Sequence, residues 1–158
     1  MIVIVRAAVA ADLEPILVIA DQRRRQYAAY QPRFWNPAAD AVSRQRSFFE
    51  SLVDDSETLF AVADAANRVR GFVIAKVAPA PPVYDPGGAT CLIDDFTVDD
   101  SESWPEVGPG LLAFARSWAT QRGAVQLVVV TAGADDPKRV ALIEAGLVLA
   151  SEWWVGGI

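Results

Sequence analysis

The stretch CLIDDFTVDDSESWPEVGPGLLAFARSWATQRG, residues 91–123, decides the fold because its pattern of apolar residues changes once along its length. Residues 91–98 alternate around β-branched and aromatic side chains, which predicts a strand. Residues 99–108 contain a proline and small polar side chains and predict a loop. From Pro109 onward apolar residues recur every three or four positions, which predicts a helix that packs on a sheet and ends at Gly123.

The junction between this loop and this helix is a possible anion-binding site. The first N–H groups of a helix lack partners within the helix, and the helix dipole adds positive potential at the same place. Every strand–loop–helix connection shares these properties. The spacing therefore leaves two interpretations open, a plain connection or a cradle for a phosphate group.

Composition limits the chemistry that the chain can perform. With 158 residues, 53% of them hydrophobic and 22% charged, we expect a single domain over residues 1–158. Histidine is absent, which excludes Ser-His-Asp and Cys-His catalysis and histidine-based zinc sites. The one cysteine, Cys91, lies inside an apolar strand and is expected to be a buried thiol. General acid and base chemistry would then fall to carboxylates, tyrosine, lysine or water.

Charge and hydropathy indicate where the protein works. A net charge of −6 argues against binding to nucleic acid or to an anionic membrane. No apolar run approaches the roughly 20 residues that span a bilayer, and no cleavable signal pattern opens the chain, so we expect a cytoplasmic protein. The basic cluster at residues 23–25 is interpreted as a solvated helix face.

The flanking sequence predicts further helices and strands on both sides of this unit. The predicted strands cover residues 2–7, 58–65, 69–77, 125–131 and 147–155, and the predicted helices cover residues 12–27, 40–53 and 137–145. The run at 125–131 is continuously apolar, as in a parallel strand covered on both sides. Residues 78–89 are rich in proline and glycine and predict a long loop.

Residues 27–37, YAAYQPRFWNP, predict a loop rich in aromatic side chains. Large apolar rings in a loop either complete a core or line a pocket, and the sequence leaves both open. Tyr30, Phe34 and Trp35 are the candidate pocket residues.

The order of elements resembles the GNAT superfamily of acyl-CoA-dependent N-acyltransferases, over nearly the whole chain. In that family the central strand is followed by a Q/R-x-x-G-x-G/A motif and a helix that begins x-x-L-L. Here Phe96-Thr97-Val98 ends the strand, residues 103–108 align with the motif and Leu111-Leu112 begins the helix. Residues 134–154, ADDPKRVALIEAGLVLASEWW, are similar to the late family pattern A-x-N-x-x-A-x-x-L-Y-x-x-x-G-F followed by a strand.

The resemblance implies a fold and an activity. The fold would be α+β or α/β, with a mixed, mostly antiparallel central sheet of about six strands and helices on both faces. The activity would be transfer of an acetyl group from acetyl-CoA, a cosubstrate used without a metal, to a primary amine of a small molecule or peptide. The amine would enter over Tyr30, Phe34 and Trp35.

The resemblance also implies site residues. The family commonly carries an acidic residue at the position of Asp94, so Asp94 is the first candidate to receive the amine proton and Asp95 is the second. Strand alternation would place the two on opposite faces of the sheet. A strand-end carboxylate bonded to a neighbouring loop is the other interpretation. The implied cofactor-binding residues are Phe96, Thr97, Val98, Ser103, Trp104, Glu106, Val107, Gly108, Gly110 and Asp136.

The chain departs from the family pattern at several of these positions. Ser103 stands at the Q/R position, Glu106 at the first glycine, Ile143 at the tyrosine that serves as general acid, and Asp136 at the asparagine. Two functions are therefore open, an active N-acetyltransferase and a catalytically degenerate GNAT-fold module that binds a ligand or a protein.

The sequence ends soon after its last predicted strand, which carries Trp153 and Trp154. An exposed apolar sheet edge invites pairing with another chain. We therefore expect a homodimer in which a neighbouring chain covers this edge.

Overall fold

The computed structural model describes residues 2–158, in which five strands form one sheet with helices on both faces. The strands are β1 (Ile4–Ala7), β2 (Thr58–Ala65), β3 (Arg68–Ala78), β4 (Ala89–Val98) and β5 (Ala124–Val129). The helices are α1 (Leu13–Tyr30), α2 (Ala41–Leu52), α3 (Trp104–Thr120) and α4 (Asp136–Glu144), and short 3₁₀ turns at Ala10–Asp12 and Ser101–Ser103 precede α1 and α3. None of the helices within residues 2–158 is both long and apolar enough to cross a membrane.

The strands lie in the order β1-β2-β3-β4-β5. The pairs β1–β2, β2–β3 and β3–β4 are antiparallel, and the pair β4–β5 is parallel. A mixed, mostly antiparallel sheet is thus confirmed. The expected number of about six strands is wrong, because the sheet has five.

The missing strand is the one predicted at residues 147–155. This segment forms no ladder with any described strand, and Val148, Trp153 and Trp154 are exposed by 88%, 84% and 89%. A strand is stabilised by ladder hydrogen bonds and by burial of at least one face, and the segment obtains neither within this chain. Most of its apolar side chains therefore remain exposed, although Leu147 packs against the core on the α3 side.

Because no strand forms at residues 147–155, β5 is the outermost strand of the sheet. The apolar run predicted a strand covered on both sides, but β5 is the outermost strand, with Val125 and Val128 exposed by 53% and 40%. No strand lies beyond it within the described chain, so its outer edge and part of one face are open. The prediction of a strand here is confirmed, whereas the prediction of full burial is wrong.

Helix α3 begins at Trp104, earlier than the predicted start at Pro109. The 3₁₀ turn Ser101–Ser103 leads directly into it and is capped by Asp100, whose side chain accepts a hydrogen bond from the Glu102 N–H (2.9 Å) and whose carbonyl accepts one from the Ser103 N–H (2.9 Å). Pro109 lies inside the helix, where its missing N–H leaves the carbonyl of Pro105 without a helical partner. Pro105 is exposed, so water can satisfy that carbonyl. Residues 103–108 are therefore mostly helix, and the loop predicted there is wrong.

Two apolar cores lie on opposite faces of the sheet. On one face Cys91, Ile93, Phe96 and Val98 of β4 pack against α3. On the other face β2 and β3 pack against α1 and α2 around Phe49, which is fully buried. Burial raises the pKa of the Cys91 thiol to about 11, which confirms the expected buried thiol.

Gly71 of β3 is required where α3 crosses the sheet. A Cβ atom at this position would lie 2.7 Å from the Thr97 carbonyl oxygen and 3.2 Å from side-chain atoms of Val107 and Leu111. We expect Gly71→Ala to lower the free energy of unfolding by about 1–3 kcal/mol, because backbone must move to make room. Urea denaturation would measure this. Gly133→Ala is the matched control, since a Cβ there has no neighbour within 4 Å. Equal effects of the two substitutions would contradict the tight contact.

Candidate active site at the opening between β4 and β5

Strands β4 and β5 begin as a parallel pair and then separate. Their pairing ends at Ile93 and Val129, and the last bond across the gap runs from the Val130 N–H to the Ile93 carbonyl (3.0 Å). Beyond that point β4 continues to Val98, paired on its other side with β3. One edge of residues 94–98 is therefore unpaired. Backbone donors and acceptors on that edge need side chains, water or a ligand as partners.

A cleft of about 520 Å³ lies beside the unpaired edge, between α1 and the start of α3. Its lining includes Arg23 and Gln26 of α1, Thr97 and Val98 of β4, and Trp104. Small-molecule pockets measure roughly 300–1,000 Å³, so the cleft can hold a ligand of that class.

A β-bulge in β4 decides the direction of the candidate carboxylates. Ala75 of β3 pairs with Ile93 and the preceding residue, Ile74, pairs with Asp95, so Asp94 is the inserted residue. This insertion changes which positions share a face of the strand.

The change of face is visible in the core on the α3 side. Ile93 before the bulge and Phe96 after it both lie in that core, although strict alternation would place them on opposite faces. The two residues between them, Asp94 and Asp95, both point away from α3. The expectation that these carboxylates lie on opposite faces of the sheet is therefore wrong.

Asp95 and Asp94 have different surroundings. Asp95 is half-buried, and burial raises its pKa, with a smaller upward contribution from the charge of Asp94 and an opposing one from Arg23. Asp94 is exposed. A carboxyl group with a raised pKa is a better proton acceptor than an ordinary solvated one.

Arg23 and Tyr27 connect α1 to both sides of the opening. The Arg23 guanidinium donates a hydrogen bond to the Phe96 carbonyl (2.6 Å) and stacks over the Tyr27 ring, 4.5 Å from its centroid. The Tyr27 hydroxyl donates to Asp135 (2.9 Å) and accepts from the Ala132 N–H (3.3 Å). Burial raises the pKa of Tyr27, which keeps the hydroxyl protonated. One carbonyl of the unpaired edge is thus already satisfied by a side chain.

Lys138 in the first turn of α4 is fully buried in the opening. Its Nζ donates to the Val130 carbonyl (2.9 Å) and lies 5.5 Å from the centroid of the Phe96 ring and 6.0 Å from that of the Trp104 ring. Burial, together with the positive charge of Arg23, lowers the pKa of Lys138 well below its usual range.

The implied cofactor residues divide into two groups. Thr97, Val98 and Trp104 line the cleft, and Phe96 packs edge-on against Trp104 with ring centroids 4.9 Å apart. The others do not line the cleft. The Ser103 hydroxyl accepts a hydrogen bond from Arg70 (2.8 Å), and Asp136 is exposed and forms an ion pair with Arg139 (3.8 Å). Along α3, Val107 and Gly108 are buried in the core, whereas Glu106 and Gly110 are exposed.

The three candidate substrate residues form a chain of aromatic contacts that ends at Tyr27. Tyr30 and Trp35 contact the Tyr27 ring with centroids 5.8 Å and 4.8 Å away, and Phe34 contacts Trp35 at 5.1 Å. Phe34 also contacts Trp153 of the C-terminal segment at 6.1 Å. The rings adjoin the opening but do not line the cleft.

The sequence interpretation missed Arg23, Tyr27, Asp135 and Lys138. The solvated face proposed for residues 23–25 holds for Arg25, whose side chain is 80% exposed, but not for Arg23. One signal was available for Lys138, which precedes the buried Leu142 by one helical turn and so lies on the apolar face of α4. Among residues 2–158 no three cysteine or carboxylate side chains come together as a metal-ligand group.

No family model matches the chain, and no curated protein does. Several solved structures are similar to the chain in fold. A single-substitution mutant of the BH1408 protein from Bacillus halodurans is similar with a TM-score of 0.84 at 14% identity, over 98% of this chain and 99% of that one. Aminoglycoside N-acetyltransferase AAC(6')-Iy in complex with CoA gives a TM-score of 0.70 at 15% identity, over 99% and 95% of the two chains. The chain has the GNAT fold. A predicted acetyltransferase from Clostridium acetobutylicum with acetyl-CoA shares this GNAT fold, with a TM-score of 0.70 at 16% identity over 99% and 96% of the chains.

The bond between Arg23 and the Phe96 carbonyl can be tested by mutation. We expect Arg23→Met to lower the free energy of unfolding by about 1.5–3 kcal/mol, because a hydrogen bond from a charged donor is lost at a partly buried carbonyl. Arg25→Met on the same helix should change it by no more than about 0.5 kcal/mol, as is usual at an exposed position. Urea denaturation of both variants measures the difference. Loss of equal size in both would show that Arg23 does not support β4.

Proposed function

We propose that the chain is an N-acetyltransferase that moves an acetyl group from acetyl-CoA to a primary amine of a small molecule or peptide. One observation carries the proposal: an unpaired edge of β4 opens onto a cleft beside a half-buried carboxylate, Asp95, in the GNAT fold. Two solved structures of that fold contain CoA or acetyl-CoA. The aminoglycoside specificity in one of their names supports a small-molecule amine as the acceptor.

The unpaired edge would bind the thioester part of the cofactor. Backbone N–H groups directed at a carbonyl oxygen stabilise the negative charge that develops there during nucleophilic attack. Residues 94–98 supply such groups without a β5 partner, and Thr97, Val98 and Trp104 line the adjoining cleft.

The phosphate end of the cofactor would meet unusual charges. Asp100 caps the 3₁₀ turn that leads into α3, and Glu102 and Glu106 add negative charge nearby, so this helix start attracts an anion less than most do. Arg23 and Arg25 line the same cleft from α1. We infer that these arginines, rather than the helix start alone, compensate the charge of the cofactor.

Asp95 would accept the proton of the attacking amine, directly or through water, with Asp94 next to it holding a cationic acceptor. The raised pKa of Asp95 suits a general base, and its half-buried position faces the opening. Direct attack is favoured over a covalent intermediate, because Cys91 is fully buried in the core and burial raises its thiol pKa to about 11. The amine would enter over Tyr30, Phe34 and Trp35.

A titration of acetyl-CoA followed by thermal shift or calorimetry tests the proposal first. Binding that raises the melting temperature supports the enzyme. Absence of binding at millimolar cofactor would favour the degenerate module instead.

The role of Asp95 can be measured through thiol release from acetyl-CoA in the presence of a panel of primary amines: an aminoglycoside, a polyamine and a peptide with a free N-terminus. We expect Asp95→Asn to lower kcat by about 100-fold or more, the usual contribution of a general base. Asp54→Asn, an exposed carboxylate remote from the opening, is the matched control and should leave kcat unchanged.

The pH dependence of the same reaction gives a second readout. A general base works only when deprotonated, so kcat/KM should fall as the pH drops through the raised pKa of Asp95, and Asp95→Asn should remove this acidic limb. A larger loss in Asp94→Asn than in Asp95→Asn would transfer the role to Asp94.

We also propose that the protein is a homodimer sealed by the outer edge of β5 and the segment at residues 147–158. Val125 and Val128 of β5 and Leu149, Trp153 and Trp154 of the C-terminal segment are all exposed, and exposed apolar side chains in such number are typical of an interface. Light scattering should give twice the chain mass, and replacing Trp153 and Trp154 by aspartate should give the monomer. Replacing Val83 and Tyr84, an equally exposed apolar pair in the loop before β4, should leave the dimer intact. A monomeric wild-type protein would contradict this proposal.

A further inference from the structure

We propose that Lys138 donates the proton that the CoA thiolate takes up when it leaves the acetyl group. This inference rests on the proposed acetyltransferase activity. It concerns a role that the sequence leaves without an occupant, since Ile143 stands at the position of the family's tyrosine and is 66% exposed.

The location of Lys138 requires an explanation in itself. Burial of an ammonium group costs several kcal/mol unless it is well compensated. Within residues 2–158 no carboxylate lies within 4 Å of the Lys138 nitrogen, and the side chain is nevertheless fully buried. A methionine or leucine on this face of α4 would avoid that cost. The lysine is therefore a costly residue placed where the two strands separate.

Lys138 also has hydrogen-bonding capacity to spare. An ammonium group has three N–H donors, and in the described chain one of them is used, on the Val130 carbonyl. The faces of Phe96 and Trp104 provide only weaker cation–π contacts at 5.5 Å and 6.0 Å. By contrast, Tyr27 spends its single hydroxyl proton on Asp135. Lys138 thus keeps two donors that no described residue takes, and because its side chain has no exposed surface and does not line the cleft, a thiolate would reach it by entering between β4 and β5.

The charges around Lys138 suit a proton donor. Burial and Arg23 of α1 lower its pKa, while Asp95 and Asp94 of β4 and Asp135 before α4 raise it by smaller amounts. A lysine whose pKa is lowered gives up its proton more readily than a free lysine does. Asp95 on the adjoining strand has the complementary shift, toward a stronger base.

The proton balance of the reaction closes with these two groups. The amine nitrogen forms a bond to the acetyl carbon and loses one proton to the Asp95 carboxylate. The carbon–sulfur bond breaks, the sulfur leaves with the electron pair, and the thiolate takes a proton from the Lys138 ammonium. Transfer of the proton from Asp95 to neutral Lys138 through water restores both groups. The net reaction converts an amine and acetyl-CoA to an amide and CoA with no proton gained or lost.

The decisive experiment follows the thiol of bound CoA and needs no acceptor amine. In the wild-type protein the Lys138 ammonium should stabilise the bound thiolate and lower the thiol pKa, measured by the ultraviolet absorbance of the thiolate during a pH titration. Lys138→Met should return the thiol pKa toward that of free CoA. Lys76→Met is the matched control, because Lys76 is the other lysine of the chain and is exposed on β3.

The kinetic readout separates proton donation from packing. With acetyl-CoA, Lys138→Met should lower kcat by about 100-fold or more and remove the alkaline limb of the pH profile, with little change in the KM for acetyl-CoA. A variant that only lost packing would change KM or stability and keep the alkaline limb.

If Lys138→Met does not fold, NMR of the lysine side chains in the wild-type protein tests the same proposal. The chain has two lysines, so isotope-labelled lysine gives two side-chain signals. Addition of CoA should raise the titration midpoint of Lys138 but not of Lys76, because a thiolate beside an ammonium favours the charged form, and desulfo-CoA should not do so.

The outcomes distinguish this inference from the proposed function. If CoA binds but neither the thiol pKa nor the Lys138 midpoint shifts, Lys138 is not the donor and the acetyltransferase proposal stands. Acetylated Lys138 in the mass spectrum after incubation with acetyl-CoA would overturn the proposal that Lys138 is a proton donor and would assign it a nucleophilic role. If CoA does not bind to the wild-type protein, both proposals fall together.

Discussion

The separation of β4 from β5 after Ile93 is the constraint on which the rest of the structure depends. Two parallel strands that part inside a protein leave main-chain groups that must find new partners, because unpaired buried groups are costly. Here the replacements come from two helices on different sides of the gap: Arg23 of α1 satisfies the Phe96 carbonyl, and Lys138 of α4 satisfies that of Val130. Long cationic side chains thus satisfy one carbonyl on each side of the opening, and the remaining edge of β4 has no strand partner within the described chain.

Charged side chains of both signs meet at this opening. The net charge of −6 describes the chain as a whole, whereas the cleft is lined by Arg23 and Arg25 together with Asp99, Asp100 and Asp135. Fields inside a cleft are stronger than those over an exposed surface, because the walls have a low dielectric constant. The arginines of the cleft thus give an acidic protein local positive charge, beside carboxylates at the same opening.

Elements governed by nearby residues were predictable from the sequence, and elements governed by distant ones were not. The hairpin of β2 and β3 was predictable because two runs of strand-forming residues lie close together in the sequence, and in the structure Ala66 and Asn67 form the tight turn between them with positive φ angles (52° and 63°). The start of α3 was missed because Pro109 disfavours a helix locally, while packing of Val107 and Leu111 against the sheet favours one. Periodicity within α4 indicates only that Lys138 faces inward, and the residues around its nitrogen, Phe96 of β4, Trp104 of α3 and Val130 after β5, are distant in sequence.

The bulge at Asp94 limits the kinds of mutation that can reorient the side chains at the end of β4. Since one inserted residue decides which side chains of the strand end face each layer, removal of a single codon between Ile93 and Phe96 would turn every later side chain of the strand over. Phe96 and Val98 would leave their core while Thr97 entered it. Exchange of one amino acid for another cannot produce or reverse that rotation. Relatives with and without the extra residue would therefore be separated by a step that point substitutions do not bridge.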